Sequence, residues 1–414
     1  MLDGDAAPVV SERSGEQAVG MGEAMAGTGR PLRAAGVGMS TSRVCGVRDH
    51  AVLLAGALSR ENVSCSLHWL WRADQSIAGR SEVRDWTRGL VAELGDARPD
   101  AVLLHYSVFA YSSRGLPLYV RPTMSALRGL GIPLVTLLHE YAYPWRRGGA
   151  RGTIWAATQR ALLFEVVRSS AAVVVTADFR AEWLASRAWL PRRRVAVAPV
   201  FSNLPPPSAI SAPDPARHVV GLFGYAYEGA AVSLVLDAVR LLEDRGVGVE
   251  LNLLGAPGRS SPAAEAWVAA AQIRGVAHRL SFSGTLSAQD LSDALAACDV
   301  LLSAEPTGPT SRKTTLAASL ASGRPVVALD GPRRWSELIR CEAALVVPPT
   351  AGALADAIAG LLVDEARRAT LGARGSAFAR QTMGVERTAE IIARLLEDVV
   401  DGTGFVTGAA GAPP

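Results

Sequence analysis

The chain's 414 residues suffice for two or three domains. Its 49% hydrophobic and 20% charged residues exclude wholesale disorder, and a net charge of +3 argues against a strongly basic nucleic-acid binder. Four cysteines, Cys45, Cys65, Cys298 and Cys341, stand far apart, which excludes a zinc knuckle, a redox pair or a disulfide scaffold and suits a reducing compartment such as the cytoplasm.

Residues 1–30 mix acidic, glycine and serine residues with scattered apolar ones, and no basic start precedes an apolar core. They read as a disordered extension, not a signal peptide. Short apolar runs then alternate with helical stretches. Strands are expected at Leu32–Met39, Val63–Leu70, Ala101–His105, Pro133–Leu138, Ala171–Thr176 and Arg194–Ala198, with helices over Gly46–Ser59 and from an N-cap at Ser81 to Leu94. Six prolines between Pro199 and Pro215 mark a stiff linker. The alternation restarts with strands at His218–Phe223, Val249–Leu254, Leu280–Ser283, Asp299–Ser303, Pro325–Leu329 and Ala343–Val347. Helices read as Ala230–Arg245, Pro262–Arg274, Ser287–Ala297, Lys313–Ser322, Ala351–Leu362 and a closing Val385–Val400.

This pattern predicts an α/β chain of two doubly wound, Rossmann-like parallel-sheet domains facing a central cleft. The expected divisions are an extension (1–30), a first domain (31–204), a hinge (205–216), a second domain (217–384), a crossing helix (385–400) and a flexible Gly/Ala/Pro tail (401–414). No apolar run reaches the ~18 residues of a membrane helix. Residues 1–205 carry a net +7 and residues 206–414 a net −4, which reads either as a scatter of solvated arginines or as a first domain suited to an anionic partner or to peripheral contact with the inner face of a membrane.

Ligands of open parallel sheets bind beyond the C-terminal strand ends, so the loops after strands carry the candidates. The strongest is Glu305–Val327. A strand leads into a Gly/Pro loop, and Ser311, Arg312, Lys313, Thr314 and Thr315 then open a helix. Backbone N–H groups at the helix start, hydroxyls and two cations there suit a diphosphate. Lys313 is the only lysine among 42 basic residues, which suggests a place where guanidinium does not serve. After the first strand of the second domain, Gly224 allows close backbone approach and Tyr225 or Tyr227 could stack on a base or sugar. In the first domain, Cys45–Asp49 opens a helix and His139–Glu140 ends a strand. Gly46, Arg48, Asp49 and Glu140 could bind a hydroxyl-rich ligand, or the first loop merely starts the helix, and a neutral His139 can orient or deprotonate a hydroxyl. Tyr141, Tyr143 and Trp145 offer an aromatic platform. No spacing suggests metal ligands.

From Leu32 to Val400 the chain resembles a GT-B glycosyltransferase of the family-four type. The resemblance rests on Ala317–Val327 with its Gly323-Arg-Pro-Val-Val run, on the interdomain Phe201–Pro206, on Cys45–Asp49 and on His139–Glu140. It implies retaining transfer of a sugar from a nucleotide-diphosphate donor to a hydroxyl acceptor (glycan, lipid-linked or small molecule), in bacterial envelope or natural-product synthesis, with no cofactor and no obligatory metal. The catalytic set it implies is His139, Arg312 and Lys313; the donor set is Gly224, Tyr225, Tyr227, Glu305, Ser311, Thr314 and Thr315; the acceptor set is Gly46, Arg48, Asp49 and Glu140. Two signature carboxylates of that family are replaced by Thr310 and Ala318, with Glu305 as a substitute for the first if its loop bends back. The rivals are a nucleotide-sugar 2-epimerase, which would want more carboxylates at the cleft, and a non-catalytic partner subunit on the same fold.

Overall fold

The computed structural model describes residues 30–43, 45–73, 80–142, 144–145, 149–209, 217–225, 227, 229–255 and 261–402. The expected N-terminal extension up to residue 29, the tail from 403, Tyr143 and hinge residues 210–216 lie outside the described residues. The chain divides into Met1–Pro31 and Leu32–Pro414, and the architecture below is that of the second unit.

The first half runs β1 (Leu32–Ser40), α1 (Gly46–Leu58), β2 (Val63–Trp71), α2 (Arg80–Ala97), β3 (Ala101–Ser107), α3 (Val108–Tyr111), α4 (Val120–Gly129), β4 (Leu134–Glu140), α5 (Gly149–Ser169), β5 (Ala172–Val175), α6 (Asp178–Ala185) and β6 (Arg194–Val197). Its six strands form one parallel sheet in the order β2-β1-β3-β4-β5-β6. Every residue of β3 is buried, as expected of a central strand covered on both faces.

The second half runs β7 (His218–Phe223), α7 (Gly229–Asp244), β8 (Val249–Leu254), α8 (Pro262–Ile273), β9 (Leu280–Gly284), α9 (Ala288–Ala296), β10 (Val300–Ser303), α10 (Thr314–Ala321), β11 (Val326–Leu329), α11 (Ser336–Arg340), β12 (Leu345–Val347), α12 (Ala351–Val363), α13 (Glu365–Thr382) and α14 (Val385–Val400). Its sheet is again parallel, in the order β12-β11-β10-β7-β8-β9. Caps fix the helix starts: the side chains of Ser261, Ser287, Thr350 and Asp364 each accept a first-turn N–H. The chain reverses direction across each sheet beside β1 and beside β7, so the two crevices open beyond β1/β3 and β7/β10.

Two elements depart from the expected pattern. Helix α2 begins at Arg80, so Ser81 lies inside it and does not cap it. Helix α13 has no clear apolar face in the sequence. Its contact residues are Gly372, Gly375, Phe378 and Ala379, and a Cβ at Gly372 would fall 2.1 Å from the Gly323 carbonyl oxygen. The helix packs by close backbone approach, which leaves almost no hydrophobic signal.

The halves are fastened together. Ala389, Ile392 and Leu396 of α14 share a core with Leu54 and Leu58 of α1, and Arg194 pairs with Asp398 at 2.5 Å. The Thr388 hydroxyl donates to the Pro199 carbonyl at 3.1 Å. Residues 205–208 lie on α9, where Ser292 donates to the Pro205 carbonyl at 2.7 Å and Asp293 accepts from the Ser208 N–H at 2.6 Å.

Candidate active site

The β10–α10 loop is folded back on itself. Gly308, with φ at +89°, turns the chain where a side chain would press on the backbone of Gly331 and Arg334. Arg333 and Trp335 donate their N–H groups to the Thr307 and Pro309 carbonyls at 2.8 and 2.9 Å. This bend carries Glu305 to Lys313, whose Nζ lies 2.6 Å from Glu305 Oε1. Lys313 is the N-cap residue of α10, and no side chain caps the helix. Gly224, at φ +73°, abuts Thr315 so closely that a Cβ would sit 2.8 Å from its Cγ2. Tyr227 completes the group: burial raises its hydroxyl pKa and the Glu305 carboxylate raises it further, while a hydrogen bond with the Ala304 backbone opposes both. The fold therefore gathers Gly224, Tyr227, Glu305, Lys313 and Thr315, with Thr314 exposed in the first turn of α10.

Two expected donor residues are elsewhere. Tyr225 is 1% exposed, packs edge-on against Phe282 and accepts Trp267 Nε1 on its carbonyl at 2.8 Å, so it belongs to the core and cannot stack on a ligand. The Ser311 hydroxyl is buried and donates to the Thr176 carbonyl at 2.8 Å, while its own carbonyl accepts Val200 N–H at 2.8 Å. Ser311 joins the two halves, and its hydroxyl is not free to donate to a phosphate. At the two signature positions, Thr310 is buried with an unpartnered Oγ1, and Ala318 is packed into the apolar core. A cavity of about 510 Å³ adjoins Ser311, but its wall sets Asp178, Glu337 and Glu390 against one arginine, Arg387, which is already paired with Glu390, so its net charge opposes an anion.

Arg312, between this group and the first domain, is partly buried. It acts electrostatically on Tyr141 and Arg180 together with Arg333. Among the described residues Arg312 makes no ion pair. Arg180 donates to the carbonyls of Leu138 at 3.3 Å and His139 at 2.5 Å, and burial brings its pKa down to about 10. Arg333 lies over the Phe179 ring at 4.9 Å. Sequence reasoning missed Arg180 and Arg333, because single arginines in an arginine-rich chain carry no signal until the fold groups them.

On the first domain, Glu140 is the exposed last residue of β4 and Asp49 is exposed in the first turn of α1. Arg48 stacks over Trp71 at 5.0 Å. Gly46 has open space where a Cβ would be, so close approach does not require glycine there; its carbonyl accepts Asn203 Nδ2 at 3.5 Å. Tyr141 is buried and Trp145 is exposed beneath Arg160, so the two do not form one platform.

His139 does not stand alone. Its Nε2 is 3.3 Å from His105 Nδ1, two residues before the end of β3, and His50 of α1 lies against both rings while stacking on Phe201 at 4.2 Å. Burial lowers the pKa of His50 to about 3 and of His105 to about 4, with His105 also acting on His50. His139 falls well below the usual value through burial, His50, His105 and Arg180. All three are neutral imidazoles at pH 7. Each offers one nitrogen within 4.8 Å of the others, a metal-ligand group that sequence spacing did not suggest. His105 lies among the last residues of the buried strand β3 beside β4, and that placement was the available signal.

Residues 217–364 match the family described as Glycosyl transferases group 1. This stretch is a group 1 glycosyltransferase domain. The glycosyltransferase domain sits in a GT-B fold that spans the described chain from β1 to α14. Sucrose-phosphate synthase from Thermosynechococcus elongatus superposes with a TM-score of 0.66 at 15% identity, covering 90% of this chain and 100% of that one. HepE from Anabaena in complex with UDP and glucose gives 0.61 at 16% identity, covering 89% and 100%. WaaG, a glycosyltransferase involved in lipopolysaccharide biosynthesis, gives 0.59 at 14% identity, covering 88% and 99%. No curated protein matches the sequence. Among the described residues, no helix is long and apolar enough to cross a membrane.

Proposed function

We propose that the protein transfers a sugar, with retention, from a nucleoside-diphosphate donor on the β7–β12 domain to a hydroxyl acceptor on the β1–β6 domain. The observation that carries this reading is the Glu305–Lys313 pair at the uncapped start of α10, beside an Arg312 that has no carboxylate partner among the described residues. The first-turn N–H groups and Lys313 hold the donor diphosphate, and Glu305 fixes the Lys313 ammonium. As the glycosidic bond breaks, charge grows on the leaving phosphate oxygen. Lys313 and Arg312 stabilise it, so no metal is needed there. That oxygen can take the acceptor proton on the same face of the sugar, which accounts for retention. Neutral His139 orients the acceptor hydroxyl.

The buried Ala318 and Thr310 favour a second reading, a non-catalytic subunit that binds a nucleotide sugar and activates a partner. Mass-spectrometric screening of nucleotide sugars should first find the donor. Release of nucleoside diphosphate by the wild type, lost in Lys313→Ala, supports transfer. Tight binding with no turnover on any acceptor supports the subunit, and no binding at all overturns both.

A further inference from the structure

We propose that His50, His105 and His139 form a binding site for one divalent transition-metal ion at the acceptor end of the cleft. The site is built from three elements, α1, β3 and β4, whose C-terminal strand ends and helix start converge beyond β1/β3. Metal–imidazole bonds of ~2.0–2.1 Å in a tetrahedral arrangement place neighbouring nitrogens about 3.3–3.4 Å apart. His105 Nδ1 and His139 Nε2 are 3.3 Å apart, and the nitrogens of all three residues lie within 4.8 Å of one another. Closing the two edges to His50 requires shifts of about 1.4 Å or less.

A second observation is independent of this spacing. His50 Nδ1 and His105 Nε2 are buried with no hydrogen-bond partner, on residues only 3% and 1% exposed. Of the contacts among the three rings only that between His105 and His139 is a hydrogen bond, although each neutral ring has one donor and one acceptor to offer. A metal ion at the centre would take the lone pair of the one nitrogen that each ring brings to the cluster, which for His105 is Nδ1, with its unpartnered Nε2 then carrying the proton. The fit is to a borderline ion that favours nitrogen, such as Zn²⁺, Co²⁺ or Ni²⁺; no carboxylate belongs to the cluster, so Mg²⁺ and Ca²⁺ are disfavoured. Phe201 stacked on His50 and Trp69 6.1 Å from His105 wall the cluster, and the partly exposed His139 leaves an approach from the cleft. Arg180 beside His139 opposes any cation, so the fourth ligand is expected to be an anion, a hydroxide or an acceptor oxygen.

The inference does not rest on glycosyl transfer, and its test needs no sugar nucleotide. The full chain, freed of metal with EDTA and then desalted, is titrated with Co²⁺ while visible absorption is followed. One equivalent should bind with the bands of low-coordinate, nitrogen-ligated Co²⁺, and Zn²⁺ should abolish them. His105→Gln and His139→Gln should each weaken binding at least ~100-fold. His68→Gln and His278→Gln, which alter histidines facing Glu93 and Glu243 elsewhere, should bind as wild type. If His105→Gln fails to fold, as judged by circular dichroism, the partly exposed His139→Gln decides. No Co²⁺ bands in the wild type, or binding unchanged in the cluster variants, overturns the proposal.

Discussion

The two faces of the cleft are assembled differently. On the donor face, Glu305, Lys313, Thr314 and Thr315 come from one continuous segment, closed by a turn at Gly308 and met from outside by Gly224 and Tyr227 of the loop after β7. On the acceptor face, His50, His105 and His139 come from three separate elements and meet only because β1, β3 and β4 are neighbours in the sheet. A local site depends on loop chemistry, so it can be read and broken by residues close in sequence. A non-local site depends on strand order, so its members are coupled to the stability of the whole domain.

Acidification should expose that coupling most strongly. His50 and His105 have folded pKa values of about 3 and about 4, whereas an unfolded histidine titrates near ~6.5. Below pH 6.5 the unfolded chain binds protons that the native state refuses. Stability is therefore present above pH 6.5 and lost as pH falls, by roughly 1.4 kcal/mol per pH unit for each histidine down to about pH 4. With EDTA present, denaturant melts between pH 7 and 5 should lose about 4 kcal/mol from the pair. His50→Phe should flatten the slope by one proton; an unchanged slope would show that the rings are hydrated in solution.

The next effect concerns turnover. His139→Ala is expected to slow transfer by ~10²-fold while nucleotide affinity stays near wild type, because the nucleotide is held across the cleft. Single-turnover rates and calorimetry on one preparation check both halves, and a parallel loss of nucleotide affinity would merge the two faces into one site.

Lys313→Ala tests the donor face. Loss of a charge-assisted hydrogen bond of ~1.5–3 kcal/mol should weaken nucleotide binding roughly ten- to a hundredfold. The melting temperature should barely move, since the pair is partly solvated. Wild-type affinity in this variant would remove α10 from the donor site.

The smallest effect should come from Ser311, two residues away from Lys313. Ser311→Ala removes a hydrogen bond between the halves, at a cost of about 1–2 kcal/mol in unfolding, with nucleotide affinity unchanged. A fall in affinity without a fall in stability would return Ser311 to the donor set.

Much of this was legible in the sequence for a simple reason. Strands buried on both faces are continuous apolar runs, so Ala101–Ser107 and His218–Phe223 announce themselves, and alternation with helices implies parallel sheets. The uniqueness of Lys313 and the Gly/Pro run before it marked the donor loop. Tyr225 was misread because an aromatic next to a loop glycine looks the same whether it faces a ligand or Trp267. Ser311 was misread because a hydroxyl beside a cation gives no hint that Thr176, 135 residues earlier, takes its hydrogen bond.

By itself, then, the sequence determined the two α/β domains, their strand boundaries to within a few residues, and the position of the donor loop, all of which follow from local patterning of apolar, turn-forming and charged residues. Only the tertiary structure decided that Glu305 meets Lys313, that Arg180, Arg312 and Arg333 share one region of the cleft, and that three of the six histidines converge. Those outcomes depend on strand order and on the docking of one half against the other. Contacts between residues far apart in the chain are fixed by the shared burial of many side chains, and no short stretch of sequence records that.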